Sequence, residues 1–405
     1  MATNDCHYGL ESDAAAQDAL LCINSGSRLT DSDRFRFNGS GYFLKSAQQM
    51  RDLFKEFPQA CDNTLEIAER CNVMFDDYED GAFMPEFDCP EGWDATSLFL
   101  HDVEQGLEKR YPAGVPEDVA KQADYECGVI CQMQFCGYFL VVADYINWAK
   151  THGVMVGPGR GSAAGAMVAY AMGITELDPI QHGLIFERFL NPERVSLPDI
   201  DVDFDPDGRG RVLDYVGEKY GRDKVAQCVI YGTIKTKQAL KDSARIMGFD
   251  FSMGERVTKA LPPAQTGGKD IPLHDIFDPA SKRYAEAREF RELYDSDPDA
   301  KRVTDEAMGI EGLIRQTGVH ACATIMGSEP ITNTSPLLER TDGTVTTTLE
   351  YHTCETLGLV KMDFLGLSNL TVIRDTLNNI EANGKDRIDH TRIPLDDKAT
   401  YELLS

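Results

Sequence analysis

Two short segments alternate carboxylates with hydrophobic residues, and they constrain this chain more than any other feature. The first is Pro198-Asp199-Ile200-Asp201-Val202-Asp203-Phe204, and the second is Leu359-Val360-Lys361-Met362-Asp363-Phe364. In a β-strand, alternate side chains share a face. Asp199, Asp201 and Asp203 therefore line one side of the first segment, with Ile200, Val202 and Phe204 on the other. In the second, Lys361 and Asp363 share a face, opposite Val360, Met362 and Phe364. Placed side by side, two such strands bring three or four carboxylates and one lysine to one edge. That array suits two divalent metals holding a phosphate, and phosphoryl or nucleotidyl transfer is the first chemistry that needs it.

At 405 residues the chain is long enough for two or three domains with ample core. Its net charge of -27 argues against a broad basic nucleic-acid surface, while leaving room for a local basic groove in an acidic body. The stretch after the first carboxylate segment is such a place. There Arg209, Arg211, Lys219, Arg222, Lys224, Lys235, Lys237, Lys241 and Arg245 outnumber Asp207, Asp214, Glu218, Asp223 and Asp242. The 11 cysteines are scattered, without zinc-finger spacing and without a secretory signal ahead of them, which points to a reducing cytoplasm. Cys127 and Cys131, four apart on an expected helix, read as buried thiols rather than as cluster ligands with Cys136. No apolar run reaches membrane-spanning length, so no membrane partner is expected.

Periodicity divides the chain coarsely. Residues 1 to about 72 end in a helical run, Asn63 to Arg70, and the acidic stretch from Phe75 to Trp93 reads as a boundary loop. A charged helix is expected near Ser97 to Lys109. Phe139, Val142, Tyr145, Ile146 and Ala149 predict an amphipathic helix from Tyr138 to Lys150. Val154-Met155-Val156 reads as a short strand. Residues 233 to 310 read as mostly helical and charged, broken at Pro262-Pro263 and Gly267-Gly268. Strand character returns at Thr344 to Thr348, and Ser368 is expected to cap a helix running to about Glu381. Tyr401 to Leu404 is helix-like, and both ends of the chain read as cut from something longer.

The segment Val156-Gly157-Pro158-Gly159-Arg160-Gly161-Ser162-Ala163-Ala164-Gly165 runs from the expected strand into an expected helix. Small residues admit a phosphate close to the backbone, and a helix N-terminus offers free N–H groups and a favourable dipole. Ser162 adds a hydroxyl and Arg160 a charged donor. Gly159-x-Gly161-x-x-Ala164 matches the loose dinucleotide fingerprint, but its acidic partner about 20 residues on is missing. The Walker pattern fails for want of a lysine after the last glycine. A tight turn with close helix packing is the remaining alternative.

The chain closely resembles the C-family bacterial replicative DNA polymerases. The resemblance rests on Gly157 to Ser162, on Phe186-Glu187-Arg188-Phe189-Leu190-Asn191-Pro192-Glu193-Arg194, and on the Pro-Asp-x-Asp-x-Asp-Phe segment. It also rests on Tyr220 to Asp223, Tyr231-Gly232-Thr233, Gly318-Val319-His320-Ala321 and Gly358 to Leu367. It covers nearly the whole chain. It implies an α/β (α+β) multidomain fold: a palm of the polymerase-beta-like nucleotidyltransferase type with a mixed sheet, a helical thumb insertion, and the end of a polymerase-and-histidinol-phosphatase (PHP) domain at the start. The implied spans are 1–80 for the PHP remnant and connector, 81–232 and 311–366 for the palm, 233–310 for the thumb, and 367–405 for the start of the fingers.

The resemblance also assigns residues. Asp199, Asp201 and Asp363 correspond to the family's metal-binding aspartates, and Asp203 to a supporting carboxylate. Gly161, Ser162 and Arg188 match its triphosphate contacts, with Arg160, Arg194 and Lys361 as further phosphate partners. His320 falls beside this site, with a structural role equally open. Asp5 and His7 match the last metal motif of the PHP domain, but its other ligands are absent and Gln17 stands where relatives carry histidine, so phosphoesterase activity is not expected there. The implied function is DNA-directed DNA polymerase, with two Mg2+ ions, primer-template DNA and deoxynucleoside triphosphates. Its DNA backbone would lie on Lys235, Lys237 and Lys241, and other replicase subunits or the missing polymerase segments would be partners. Two alternatives stand beside it: a non-catalytic fragment or half of a split polymerase, and a small-molecule nucleotidyltransferase that needs no DNA. The long charged insert at 233 to 310 argues against the latter.

Overall fold

The computed structural model describes the chain except residues 75–81, 194–196, 265–269, 387, 395 and 405. Arg194, Gly267 and Gly268 lie outside the described residues. The chain forms two compact units, one from Met1–Phe75 with Tyr231–Gly318, the other from Asp76–Ile230 with Val319–Ser405.

The first unit is helical. Helices Ala14–Ser25, Thr236–Ile246, Phe251–Lys259 and Pro298–Ile310 close over a core that includes Ala19, Ile23, Leu240, Val257, Val303 and Ile310. The start of the last helix is specified locally. Asp297 accepts from the N–H groups of Asp299 (2.9 Å) and Ala300 (3.1 Å), and Pro298 fills the first helical position. Those N–H groups have no intrahelical acceptor, and proline has none to lose.

The second unit holds most of the sheet: β1 (Asp201–Phe204), β2 (Val225–Thr233), β3 (Ile314–Met326), β4 (Leu337–Glu339), β5 (Val345–Thr347) and β6 (Val360–Gly366). The chain leaves this unit along β2 and re-enters along β3. The strand order is β1-β6-β3-β2-β5-β4. β1 runs parallel to β6, with Asp201 opposite Asp363, and β3 lies antiparallel on the other side of β6. The sheet is therefore mixed, in an α/β unit.

The apolar face of both carboxylate strands is buried, as alternation predicts: Ile200, Val202 and Phe204 in one, Val360, Met362 and Phe364 in the other. Phe204 stacks on Phe364 with centroids 5.7 Å apart. Beneath them lies the helix Cys136–Thr151. It is not amphipathic: Leu140, Val141 and Ala143 are buried along with the predicted face. Neighbouring helices Ala95–Arg110 and Pro206–Tyr220 pack against it, and only Asn147 and Thr151 of its residues are exposed.

Three other expectations change. Val154 to Val156 is no strand; Val156 makes one bridge to Phe204, and the segment borders the outer edge of β1 through Gly157 N–H to Asp203 O (2.8 Å) and Asp205 N–H to Met155 O (2.9 Å). Ser368 opens the helix Ser368–Ala382 as its first residue and makes no cap, because Leu367 occupies the cap position. The glycine segment does not lead into a long helix. It enters a 3-10 turn, Ser162–Gly165, and then only the short helix Met167–Ala171. Among the described residues, no single helix is long and apolar enough to cross a membrane.

Candidate active site

The register of β1 and β6 sets Asp201 directly opposite Asp363. Asp199 joins them from just ahead of β1. One carboxylate oxygen from each of Asp199, Asp201 and Asp363 lies within 4.8 Å of the others. At that spacing, each like-charged pair repels by roughly 3 kcal/mol at an effective dielectric of about 20, and by less where solvent reaches Asp199. Something positive must offset this.

Two side chains do so in part. Lys361 Nζ donates to Asp363 Oδ2 at 2.6 Å and to Asp199 Oδ1 at 3.2 Å. Burial alone would lower the pKa of Lys361, but its bonds to Asp363 and the charge of Asp199 outweigh burial and raise it. Arg160 reaches Asp201 Oδ2 (Nε, 3.6 Å) and Asp203 Oδ1 (Nη1, 3.4 Å). Burial and the neighbouring Asp199 hold the Asp201 carboxyl above its ordinary value, with Arg160 opposing. Four carboxylates thus share two cations. Asp363 Oδ1 is buried with no hydrogen-bond partner. Clustered oxygens, residual negative charge and one unpaired buried acceptor fit a hard divalent cation.

The glycine turn closes one side. Gly157 is bound to the backbone of Asp203, and a Cβ there would meet Asp203 Cβ at 3.0 Å. Gly161 has φ +64, and a Cβ on it would lie 3.6 Å from Asp201 Oδ2. A side chain is therefore strained at Gly161 by its backbone, and its Cβ would lie in van der Waals contact with Asp201. Ser162 is exposed at the head of the 3-10 turn. Behind it, Gly165 packs on the turn Phe186–Arg188: its Cβ would meet Ile185 O at 2.7 Å. Arg188 is exposed on that second turn. The structure thus gathers Asp199, Asp201, Asp203, Asp363, Lys361, Arg160, Gly161 and Ser162. Little helix dipole reaches the glycine turn, because a helix as short as Met167–Ala171 carries little macrodipole.

Other expected residues have contacts of their own. His320 accepts the N–H groups of Ala323 (2.9 Å) and Cys322 (3.3 Å) at Nδ1, which puts the proton of the neutral ring on Nε2. It serves the backbone of β3. Lys237 pairs with Asp270 at 2.7 Å and Lys241 with Glu255 at 2.6 Å, while Lys235 precedes the helix Thr236–Ile246. Asp5 and His7 meet at 3.6 Å, with His7 packed on Phe37 and Tyr42, and among the described residues no third ligand joins them. Arg209 turns inward, donating to Phe364 O at 2.7 Å.

Two buried residues behind the site carry no motif. Glu126 is fully buried, accepting from Val168 N–H (2.9 Å) and Gln122 (2.9 Å) at the start of the helix Met167–Ala171. Burial pushes its pKa up to about 7, with the Val168 hydrogen bond opposing. Tyr138 accepts the N–H of Ile200 at 3.1 Å. Glu126 betrays itself as a carboxylate among the apolar residues Val119, Ala123 and Ile130. Tyr138 gives no such signal.

A family model described as the bacterial DNA polymerase III alpha NTPase domain matches residues 97–366. Curated relatives match along the full chain. A DNA polymerase III subunit alpha of Mycobacterium tuberculosis (strain CDC 1551 / Oshkosh) is 53% identical over 408 residues, covering 100% of this chain and 34% of the relative. Its namesake in Mycobacterium leprae is also 53% identical, over 100% of this chain and 35% of the relative. That of Pseudomonas fluorescens is 39% identical over 422 residues, with 100% and 35% covered. The chain spans about a third of the length of these relatives. The domain match takes in both carboxylate strands and the glycine turn between its bounds, and by it this chain belongs to the bacterial DNA polymerase III alpha family.

Proposed function

We propose that this chain carries the nucleotidyl-transfer site of a DNA-directed DNA polymerase acting in the cytoplasm. The observation that carries the reading is the pairing of Asp201 with Asp363 across parallel strands, with Asp199 completing the oxygen cluster. In the reaction, a primer 3′-hydroxyl attacks the α-phosphate of a deoxynucleoside triphosphate and pyrophosphate leaves. Asp199, Asp201 and Asp363 would hold two Mg2+ ions, which when bound lower the pKa of the hydroxyl and neutralise the triphosphate. Gly161 and Ser162 offer backbone and hydroxyl donors to the triphosphate, and Arg188 a guanidinium. Arg160 and Lys361, now paired with carboxylates, would turn part of their charge to phosphate oxygens. Asp203 keeps Arg160 aimed along the strand. Template pairing would supply sequence specificity, with protein contacts mainly to the DNA backbone through Lys235, Lys237 and Lys241.

In this reading residues 81–232 and 311–366 are the palm, 233–310 the thumb, 1–80 a PHP remnant with Asp5 and His7, and 367–405 the start of the fingers. Other replicase subunits, or further polymerase segments, would be its partners. The coverage of about a third of each relative supports a second reading, in which the chain acts only together with such a segment. Primer extension by the chain alone, and with the remaining portion of a relative supplied in trans, tests both. Extension in either arm that is abolished by Asp201→Asn supports the site. Extension that survives Asp201→Asn overturns it.

A further inference from the structure

Asp199 and Asp201 flank one residue, Ile200, which is 2% exposed. A buried backbone N–H is costly to leave unpaired. The ladder between β1 and β6 begins at Asp201, so Ile200 and Asp199 lie ahead of the regular pairing. The N–H of Ile200 donates instead to the phenol oxygen of Tyr138, at 3.1 Å. Tyr138 is 1% exposed on the helix Cys136–Thr151. Burial raises the pKa of its phenol, with the Ile200 hydrogen bond opposing, so the hydroxyl stays neutral. The carboxylate of Asp199 is mostly solvent-exposed, and Lys361 meets it at 3.2 Å. That contact holds the carboxylate of Asp199 and not the peptide at Ile200.

The same helix supplies an internal comparison. Tyr145 lies seven residues on and faces the same strands, its ring 4.8 Å from Phe364 and 6.3 Å from Phe204. Its hydroxyl is buried without a hydrogen-bond partner. Two phenols therefore sit under the carboxylate strands, and one of them takes a backbone N–H.

We propose that Tyr138 is a positioning residue of the carboxylate site: its hydroxyl fixes the backbone between Asp199 and Asp201, and with it the carboxylate spacing at which a divalent cation is held. The inference rests on the metal reading given above. Rotation of the peptide at Ile200 re-aims the side chains on either side of it. The Tyr138 hydroxyl stands where a ladder bond is missing, and it does so from a rigid, buried helix. Groups that orient metal ligands in this way affect affinity without touching the ion.

Terbium(III) luminescence, with Mg2+ as competitor, measures cation affinity independently of catalysis. Four forms of the full chain are compared: unaltered, Tyr138→Phe, Tyr145→Phe and Asp201→Asn, with folding checked by circular dichroism. Loss of the Tyr138 hydroxyl is expected to weaken cation binding on the order of tenfold. Tyr145→Phe should leave it unchanged, and Asp201→Asn should remove it. A Tyr138→Phe chain with lowered melting temperature but unaltered affinity overturns the inference while leaving the metal reading intact. Equal losses in both phenylalanine variants overturn it too, because they would mark general loosening. If the unaltered chain takes up no cation, or Asp201→Asn binds as well as the unaltered chain, the metal reading falls and this inference with it. Amide hydrogen exchange needs no variant: Ile200 should exchange slowly in the unaltered chain and more slowly with Mg2+. Exchange at the rate of unstructured chain overturns the proposal even if Tyr138→Phe does not fold.

Discussion

Lys361 and the cation it would meet compete for the same oxygens. Its ammonium sits on Asp363 and Asp199, yet a triphosphate would need it too. Lys361→Ala should therefore act in opposite directions, raising terbium affinity and lowering nucleotide affinity, each by roughly fivefold, or about 1 kcal/mol. Equilibrium titrations of the two ligands check this; parallel changes would contradict it. Glu126 gives a pH dependence. Its folded pKa is raised from 4.5 to about 7, mainly by burial. The unfolded chain then releases the proton first. The stability tied to the protonated form is full below about pH 4.5 and is lost as pH rises through about 7. Urea unfolding of Glu126→Gln against the unaltered chain should show the variant gaining roughly 2–3 kcal/mol in relative stability between pH 4.5 and 8. A flat difference would mean that Glu126 stays ionised. Glu126 leaves a trace in the sequence, a charge among Val119, Ala123 and Ile130, but that trace does not say whether the carboxyl is buried. Arg160 was legible only as a cation in a glycine turn, since phosphate and carboxylate partners leave the same trace. Tyr138 was not legible, because a buried phenol reads as core whether or not its hydroxyl is used.

Strand alternation exposed the site because one face of each strand is apolar and buried while carboxylates recur on the other. Pairing of β1 with β6 was a condition the alternation could not supply, since strands whose paired residues lie 162 apart carry no local mark of being neighbours. The glycine segment misled for a related reason: composition announces a tight turn but not the length of the helix after it. What the glycines do instead is permit contact. At Gly165 a methyl group would meet Ile185 O at 2.7 Å, a backbone atom that cannot swing aside. Gly165→Ala should separate the Ser162 and Arg188 turns, costing roughly 1–3 kcal/mol of stability and weakening triphosphate binding more than terbium binding. Equal weakening of both would place the damage in the carboxylate strands instead. The helix Thr236–Ile246 makes a different distinction. Lys237 and Lys241 are already paired with Asp270 and Glu255, so their charge is partly committed. Lys235→Ala should flatten the salt dependence of DNA affinity by about one unit of slope, and Lys237→Ala by less. Anisotropy titrations at several salt concentrations would reverse that order if the ion pairs open on DNA.

At the scale of the whole chain, segments far apart in sequence share cores. Helix Ala14–Ser25 buries Ala19, Cys22 and Ile23 in the core that also holds Leu240, Val257 and Val303. Nothing in the periodicity of residues 1 to 75 names residues 231 to 318 as the partner, because an apolar stripe specifies that it will be covered and not by what. The site belongs to the other unit, whose main core runs from Leu98 through Tyr138 and Phe204 to Phe364. Two units with distinct cores need not melt as one. A ligand that binds only folded protein raises the stability of the part that forms its site, by about 2.7 kcal/mol at a free concentration of 100 times its Kd. The net charge of -27 adds a general term, since self-repulsion weakens any compact acidic chain at low salt. Calorimetry can separate these effects. Monovalent salt should raise all transitions, by screening. Mg2+ at matched ionic strength should raise further only the transition of the unit that holds Asp199, Asp201 and Asp363. Hydrogen exchange assigns that transition: protection gained on adding Mg2+ should appear in residues 198–204 and 359–366, and not in the helices around Leu240 and Val303. Equal protection of both units, or none beyond the effect of salt, would mean that the carboxylate cluster is not where the cation acts.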